Sequence, residues 1–216
     1  MVRGLAMRLV SFGCSITYGQ SMEDNHPKNI VPSQHAWPQV LANIAGAEAI
    51  NKGQMGASCK EIINIILEFD FNPGDIVVVA WSYPERWSII DEDNNVTRIG
   101  PWMWQNYKKP LADQVTATAN MYYEYIWDKY DSFLDQRRNI KLAKLYLDSI
   151  GITSYHTTVI DEKYQNKKWF DVPLLDIGIR NYTKSNPRAL DGFHPGQVAH
   201  YKIANEFWNK TNGLQI

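Results

Sequence analysis

The segment Ile76-Val77-Val78-Val79-Ala80 is apolar without interruption and follows the turn Asn72-Pro73-Gly74-Asp75. A strand with one wet face alternates apolar and polar side chains. A strand apolar on both faces belongs in the middle of a parallel sheet that helices cover on each side. This run therefore requires parallel neighbours and two helical layers, and the chain supplies candidates for both. Residues 8–12 form a short apolar run ending at Gly13. Residues 48–51 and 152–158 read as further strands. A helix is expected over residues 37–45, where Pro38 in the first turn costs little because its missing N–H has no helical partner. A second covers 58–69, with Ile62, Ile65, Ile66 and Phe69 at helical spacing and Ser58/Glu61 as a capping box.

Residues 114–150 are also helical in pattern, with Tyr122, Ile126, Phe133 and Ile140 near one face and a break or bend expected at 135–139. The last helix starts near Pro195 and directs Val198, Tyr201, Ala204 and Trp208 to one side. Residues 21–35 are polar and read as a loop. Residues 82–113 hold Pro84, Gly100, Pro101 and Pro110 and read as an irregular insertion. No repeat or linker divides the chain, so residues 1–216 are expected to form one α/β domain. Strand–helix alternation of this kind implies a three-layer α/β/α sandwich.

Composition narrows the function classes. Across 216 residues, 22 Lys+Arg stand against 23 Asp+Glu, a formal charge of -1, which argues against broad electrostatic binding of nucleic acid. No apolar stretch approaches the ~20 residues of a membrane-spanning helix. No signal peptide is visible, so neither a membrane partner nor export is expected and the cytoplasm is the expected location. Two cysteines, Cys14 and Cys59, do not make a disulfide scaffold, and His26, His35 and His156 lack metal-ligand spacing. There is neither a dinucleotide fingerprint nor a phosphate loop, and no cofactor or metal is expected. Arg137-Arg138 reads as a solvated helix face, and His200 as a packing or helix-surface residue.

Three places at the C-terminal ends of strands carry chemistry. In Gly13-Cys14-Ser15 the serine sits at a strand-to-helix junction, where a tight turn presents its hydroxyl. In the segment from Asn51 to Gly56, the glycine permits close backbone approach, so its N–H is able to face a substrate oxygen. In Asp191-Gly192-Phe193-His194-Pro195 a carboxylate and an imidazole three residues apart share a turn. The carboxylate is then placed against one ring nitrogen, leaving the other to accept a serine proton. Cys14 is the rival nucleophile, but neighbours on one turn cannot both aim at one base.

With these blocks in this order the chain resembles the SGNH hydrolases, the GDSL-type esterases and lipases, from about residue 8 to residue 208. The resemblance implies a flavodoxin-like sandwich with a five-stranded parallel sheet. It also implies Ser15 as nucleophile, His194 as base, Asp191 as its orienting carboxylate, and an oxyanion hole built from the Ser15 and Gly56 amides. The family has Asp at the place of Cys14 and Gly-x-Asn-Asp after the central strand. Here the strand ends Ala80-Trp81-Ser82-Tyr83, which puts Ser82 at the place of the oxyanion-hole Asn. Arg86, four residues on, is a further source of positive charge.

The implied reaction is hydrolysis of a carboxylic ester, with acetyl groups on a carbohydrate as the leading substrate class. Flat aromatic faces suit sugar rings, and five of the eight Trp (Trp81, Trp87, Trp102, Trp104 and Trp127) lie between residues 81 and 130. Trp81, Trp87, Trp102 and Trp104, with Arg86, are the candidate substrate-binding residues. The insertion is equally suited to a homo-oligomer contact. The alternative reading, favoured by the altered third block, is a catalytically weak or silent module that binds a glycan or acylated ligand. A protein that docks a partner through the insertion is the third.

Overall fold

A computed structural model of the chain describes residues 7–28, 30–104, 114–160 and 171–215. In chain order the elements are β1 (Arg8–Gly13), α1 (Ser15–Tyr18), α2 (Trp37–Ala45), β2 (Glu48–Asn51), α3 (Cys59–Leu67) and β3 (Ile76–Trp81). There follow β4 (Trp87–Ile90), β5 (Val96–Ile99), α4 (Pro101–Trp104), α5 (Gln114–Met121), a π-helical turn (Tyr122–Ile126), α6 (Lys129–Ser149), β6 (Thr153–Thr158), α7 (Ile179–Ser185) and α8 (Gln197–Lys210).

The main sheet has the order β2-β1-β3-β6, and every pairing is parallel. β3 is buried along its whole length, as its apolar sequence requires. Its register with β1 pairs Leu9 with Ile76 and Gly13 with Ala80, so the two strands end side by side. Helix α2 packs on α8 and α3 on α6, and all four helices contribute buried residues, such as Leu41, Ile62, Ile140 and Phe207, to the core around the sheet. Trp37 of α2 stacks on Phe207 of α8 with ring centroids 4.7 Å apart. At the opening end of the sheet the Asp75 carboxylate receives Arg8 Nε at 2.8 Å and Nη2 at 2.6 Å, tying the starts of β1 and β3 together.

The sheet has four strands among the described residues, not the five expected. Among the described residues, Leu175 meets the edge of β6, its N–H donating to the His156 carbonyl at 2.7 Å and its carbonyl accepting Thr157 Oγ1 at 2.8 Å. The region expected to be irregular instead contains an antiparallel hairpin, β4–β5, with Trp87 opposite Ile99. The long helix breaks at Trp127–Asp128, not at 135–139. There the Asp128 carboxylate caps a new helix by accepting from the Tyr130 and Asp131 amides at 2.8 and 2.9 Å. Ile140 is buried as expected but Ile126 is exposed, since it precedes that break. On α8 the inward stripe is Ala199, His200, Ile203, Ala204 and Phe207, while Val198 and Tyr201 face outward. His200 belongs to that apolar stripe because its Nδ1 accepts the Trp37 amide at 3.1 Å.

Two buried histidines are held neutral by their acceptor duties. His156 Nδ1 accepts Trp81 Nε1–H at 3.1 Å, and a protonated ring would lose that role. Burial pushes both His156 and His200 down to about 3. With folded values below the ordinary 6.5, the unfolded chain binds more protons in between, so the stabilisation is complete above that value and is lost as pH falls. Each histidine therefore costs up to about 1.4 kcal/mol of stability per pH unit of acidification. Urea midpoints measured between pH 7 and pH 4 should fall accordingly, and His156→Gln should flatten the slope. A slope unchanged in the variant would contradict the assignment.

Candidate active site

The junction after β1 is built on close backbone approach. A Cβ at Gly13 would lie 2.1 Å from Thr17 Oγ1 and 2.8 Å from the Ala80 carbonyl, so only glycine fits. Cys14 is extended and fully buried, and it hands the chain to α1 with Ser15 as the first helical residue. Ser15 is 3% exposed. The second segment is pinned to the first through Asn51. Its Nδ2 donates to the Thr17 carbonyl at 2.7 Å, and its Oδ1 accepts the Gly53 amide at 2.9 Å. The Gln54 amide donates to the Gly13 carbonyl at 2.9 Å. Gly56 adopts φ +77, a conformation that favours glycine. Neither the Ser15 nor the Gly56 amide makes a hydrogen bond among the described residues.

Ser58 caps α3 by accepting the Glu61 amide at 3.2 Å. The reciprocal half of the expected capping box is absent, because the Glu61 carboxylate turns to Arg98 on β5 instead. Arg98 Nη2 approaches Glu61 Oε1 at 2.6 Å and its Nε approaches Oε2 at 2.9 Å. Ser88 on β4 donates to the same carboxylate at 3.3 Å. This ion pair fixes the β4–β5 hairpin over α3 and brings the Arg98 stem to 3.3 Å from where a Gly56 Cβ would stand.

In the third place, His194 Nδ1 and Asp191 Oδ2 are 2.6 Å apart. The other carboxylate oxygen accepts the Phe193 and His194 amides at 2.8 and 3.0 Å, a turn that Gly192 closes with φ +72. Burial pushes the Asp191 carboxyl up. The His194 and Phe193 amides, the His194 ring and the Ser21 hydroxyl outweigh it and hold the group well below the usual carboxylate range. An ionised carboxylate only accepts, so Nδ1 carries the ring proton and Nε2 is left as an acceptor. The loop docks on the segment just after α1, where the Leu190 amide donates to the Ser21 carbonyl at 3.0 Å. Ser21 is 4% exposed and takes φ 62, a left-handed conformation uncommon for serine. Ser15 Oγ and His194 are not hydrogen-bonded to each other among the described residues.

Ser82 follows β3 and is fully buried. Its carbonyl accepts Gln136 Nε2 from α6 at 2.7 Å and Cys59 Sγ at 3.4 Å; burial pushes that thiol up to about 12, so it remains protonated. Arg86 Nη1 donates to Ser82 Oγ at 3.2 Å, and its guanidinium lies 4.9 Å from the Tyr83 ring centre and 5.0 Å from that of Trp102.

The aromatic residues divide by position. Trp81 belongs to the hydrophobic core, its ring stacked on His156 and its Nε1 donating to that ring, where a substrate-binding face was expected. Trp87 stacks on Tyr122 with centroids 4.6 Å apart. Trp102 is 43% exposed, covers Gly100 and reaches to 3.8 Å from the Cβ position of Gly56. Trp104 ends α4, and its side chain lies outside the described residues. Sequence reasoning missed the residues around a cavity of about 380 Å³, among them Tyr83, Tyr123, Trp127, Phe133 and Arg180. Tyr83 follows Ser82 just beyond β3, and none of Ser15, Gly56, Asp191 and His194 lines this cavity. The only signal for it was the aromatic enrichment itself.

Among the described residues no group of three or more His, Cys, Asp or Glu is placed to hold a metal ion. No helix there is long and apolar enough to cross a membrane.

No family model and no curated protein matches the chain. Solved structures do. One is a G-D-S-L family protein from Desulfitobacterium hafniense DCB-2, at TM-score 0.54 and 11% identity over 94% of this chain and 98% of that one. Another is a carbohydrate esterase family 2 enzyme with a carbohydrate-binding domain from Corynascus thermopiles, at TM-score 0.57 and 10% identity over 100% of this chain and 69% of that one. A third is an acetyl xylan esterase from the rumen bacterium Butyrivibrio proteoclasticus, at TM-score 0.55 and 10% identity over 99% and 66%. The chain therefore has the α/β fold of the SGNH hydrolases.

Ser21 meets the Asp191–His194 loop through both its carbonyl and its hydroxyl, and sequence reasoning passed over it, since nothing in a polar loop marks a serine for positive φ. Ser21→Ala removes a hydroxyl from Asp191. Carboxyl-carbon NMR should then show Asp191 titrating at higher pH than in the wild type. An unchanged titration would contradict the role.

Proposed function

We propose that the chain is a serine esterase of the SGNH type, acting on carboxylic esters. The observation that carries this reading is the Asp191–His194 pair at 2.6 Å, docked through Ser21 onto the turn that bears Ser15. Ser15 Oγ attacks the acyl carbon as its proton passes to His194 Nε2. The oxyanion is held by the Ser15 and Gly56 amides, which have no other hydrogen-bond partner among the described residues, and by the Ser82 hydroxyl. Collapse expels the alcohol, which takes the proton from His194. Water then attacks the acyl-enzyme with His194 again as base, and the acid leaves. Asp191, ionised throughout, fixes the tautomer and stabilises the imidazolium.

Acetyl groups on a carbohydrate are the substrate class we favour. Two considerations support it: Trp102 is partly exposed beside Gly56, and the fold is shared with an acetyl xylan esterase and a carbohydrate esterase. The missing Ser15–His194 hydrogen bond and the serine at the third oxyanion position favour a second reading, a silent module holding a glycan or acylated ligand. Turnover separates the two. Purified protein should hydrolyse a short-chain nitrophenyl ester, and Ser15→Ala should lower kcat by at least about 10³-fold. Wild-type protein without turnover, or a Ser15→Ala variant at full rate, would defeat the esterase reading. Across acetylated sugars and longer acyl esters, the acetylated sugars should show the highest kcat/KM. A preference for long chains would remove the glycan assignment.

A further inference from the structure

We propose that Arg86 is a positioning residue that aims the Ser82 proton into the oxyanion hole, so that a Ser–Arg pair replaces a single asparagine amide. The inference rests on the esterase reading above. A guanidinium carries only donors, whereas a hydroxyl has one proton and two acceptor sites. When Arg86 Nη1 donates to Ser82 Oγ at 3.2 Å, the serine oxygen acts as acceptor and its proton must point elsewhere. No other hydrogen bond from that hydroxyl occurs among the described residues, although Ser82 is fully buried. A buried donor without an acceptor is costly, and a developing oxyanion would supply the acceptor.

The rest of the serine is held as firmly. Its carbonyl receives Gln136 Nε2 and Cys59 Sγ, which fixes the backbone from α6 and α3. Arg86 in turn lies over the Tyr83 ring at 4.9 Å and the Trp102 ring at 5.0 Å, so its guanidinium is held by cation–π contacts as well as by a hydrogen bond. The β1–β3 register, which ends Gly13 opposite Ala80, sends the chain toward Ser15 on one strand and Ser82 on the next. The positive charge acts through the serine oxygen and makes its O–H a stronger donor. Trp102 thereby acquires a second role as one face of the arginine clamp.

Steady-state kinetics on a nitrophenyl acetate test the relay. Arg86→Met should lower kcat by about 10²-fold with KM nearly unchanged, and Ser82→Ala should do the same. The double variant should be no worse than Ser82→Ala, because the arginine acts only through that hydroxyl. Ser82→Asn supplies a donor of its own, so in that background Arg86→Met should have little effect. Arg86→Lys keeps the charge without the planar stack and should fall between wild type and Arg86→Met. The proposal is overturned if Arg86→Met raises KM at constant kcat, if the two single losses multiply, or if Arg86→Lys and Arg86→Met both retain wild-type kcat. Wild-type turnover that Ser15→Ala abolishes, with Arg86 variants unaffected, would remove the relay alone. Absence of Ser15-dependent turnover in the wild type would instead remove the esterase reading beneath it.

Discussion

The parallel pairing of β1 with the fully buried β3 is the constraint on which the rest of the structure depends. It is made of main-chain hydrogen bonds in an apolar interior, where unpaired groups would be expensive, so the register is firmly held. That register sets two strand ends side by side, and the chain leaves them as the Ser15 turn and the Ser82 turn. Asn51 then laces the end of β2 to α1, and Ser21 receives the Asp191–His194 loop from the far end of the sequence. Each docking contact is a backbone or short side-chain hydrogen bond, which leaves little freedom for the groups it positions.

Much of this was legible in the sequence where local chemistry and periodicity agree. The apolar run at Ile76, bounded by a turn and rich in β-branched residues, has the pattern of an interior strand, and in Asp-Gly-x-His the carboxylate meets the amides and ring of its own turn. Legibility failed where the deciding partner lies far along the chain. Glu61 looks like half of a capping box, yet its carboxylate answers Arg98 across 37 residues. His200 looks polar, yet an amide of α2 needs its lone pair in the core. Asp128 ends one helix and starts another more effectively than the charged run at 135–139. That run stays helical within α6, with Arg138 and Asp135 paired in solvent and Gln136 turned inward to the Ser82 carbonyl.

The aromatic enrichment proves to serve several ends. Trp81 is core, Trp87 braces the insertion against Tyr122, and Trp102 lies against Arg86 beside Gly56. Tyr83, Tyr123 and Trp127 line a cavity of about 380 Å³ together with Phe133 and Arg180. A hairpin clamped by a half-buried ion pair, not a loose loop, carries Arg98, whose stem lies against Gly56. Such a platform suits a site that must hold a transition state without rearrangement.

The central claim is that Ser15 is an activated nucleophile facing a working base and oxyanion hole. Covalent labelling of the folded protein with a fluorophosphonate, mapped by peptide mass spectrometry, tests all three at once. The account predicts one adduct per chain, on Ser15, with labelling much slowed in His194→Ala. Folded protein that stays unlabelled, or an adduct on any other residue, would contradict it.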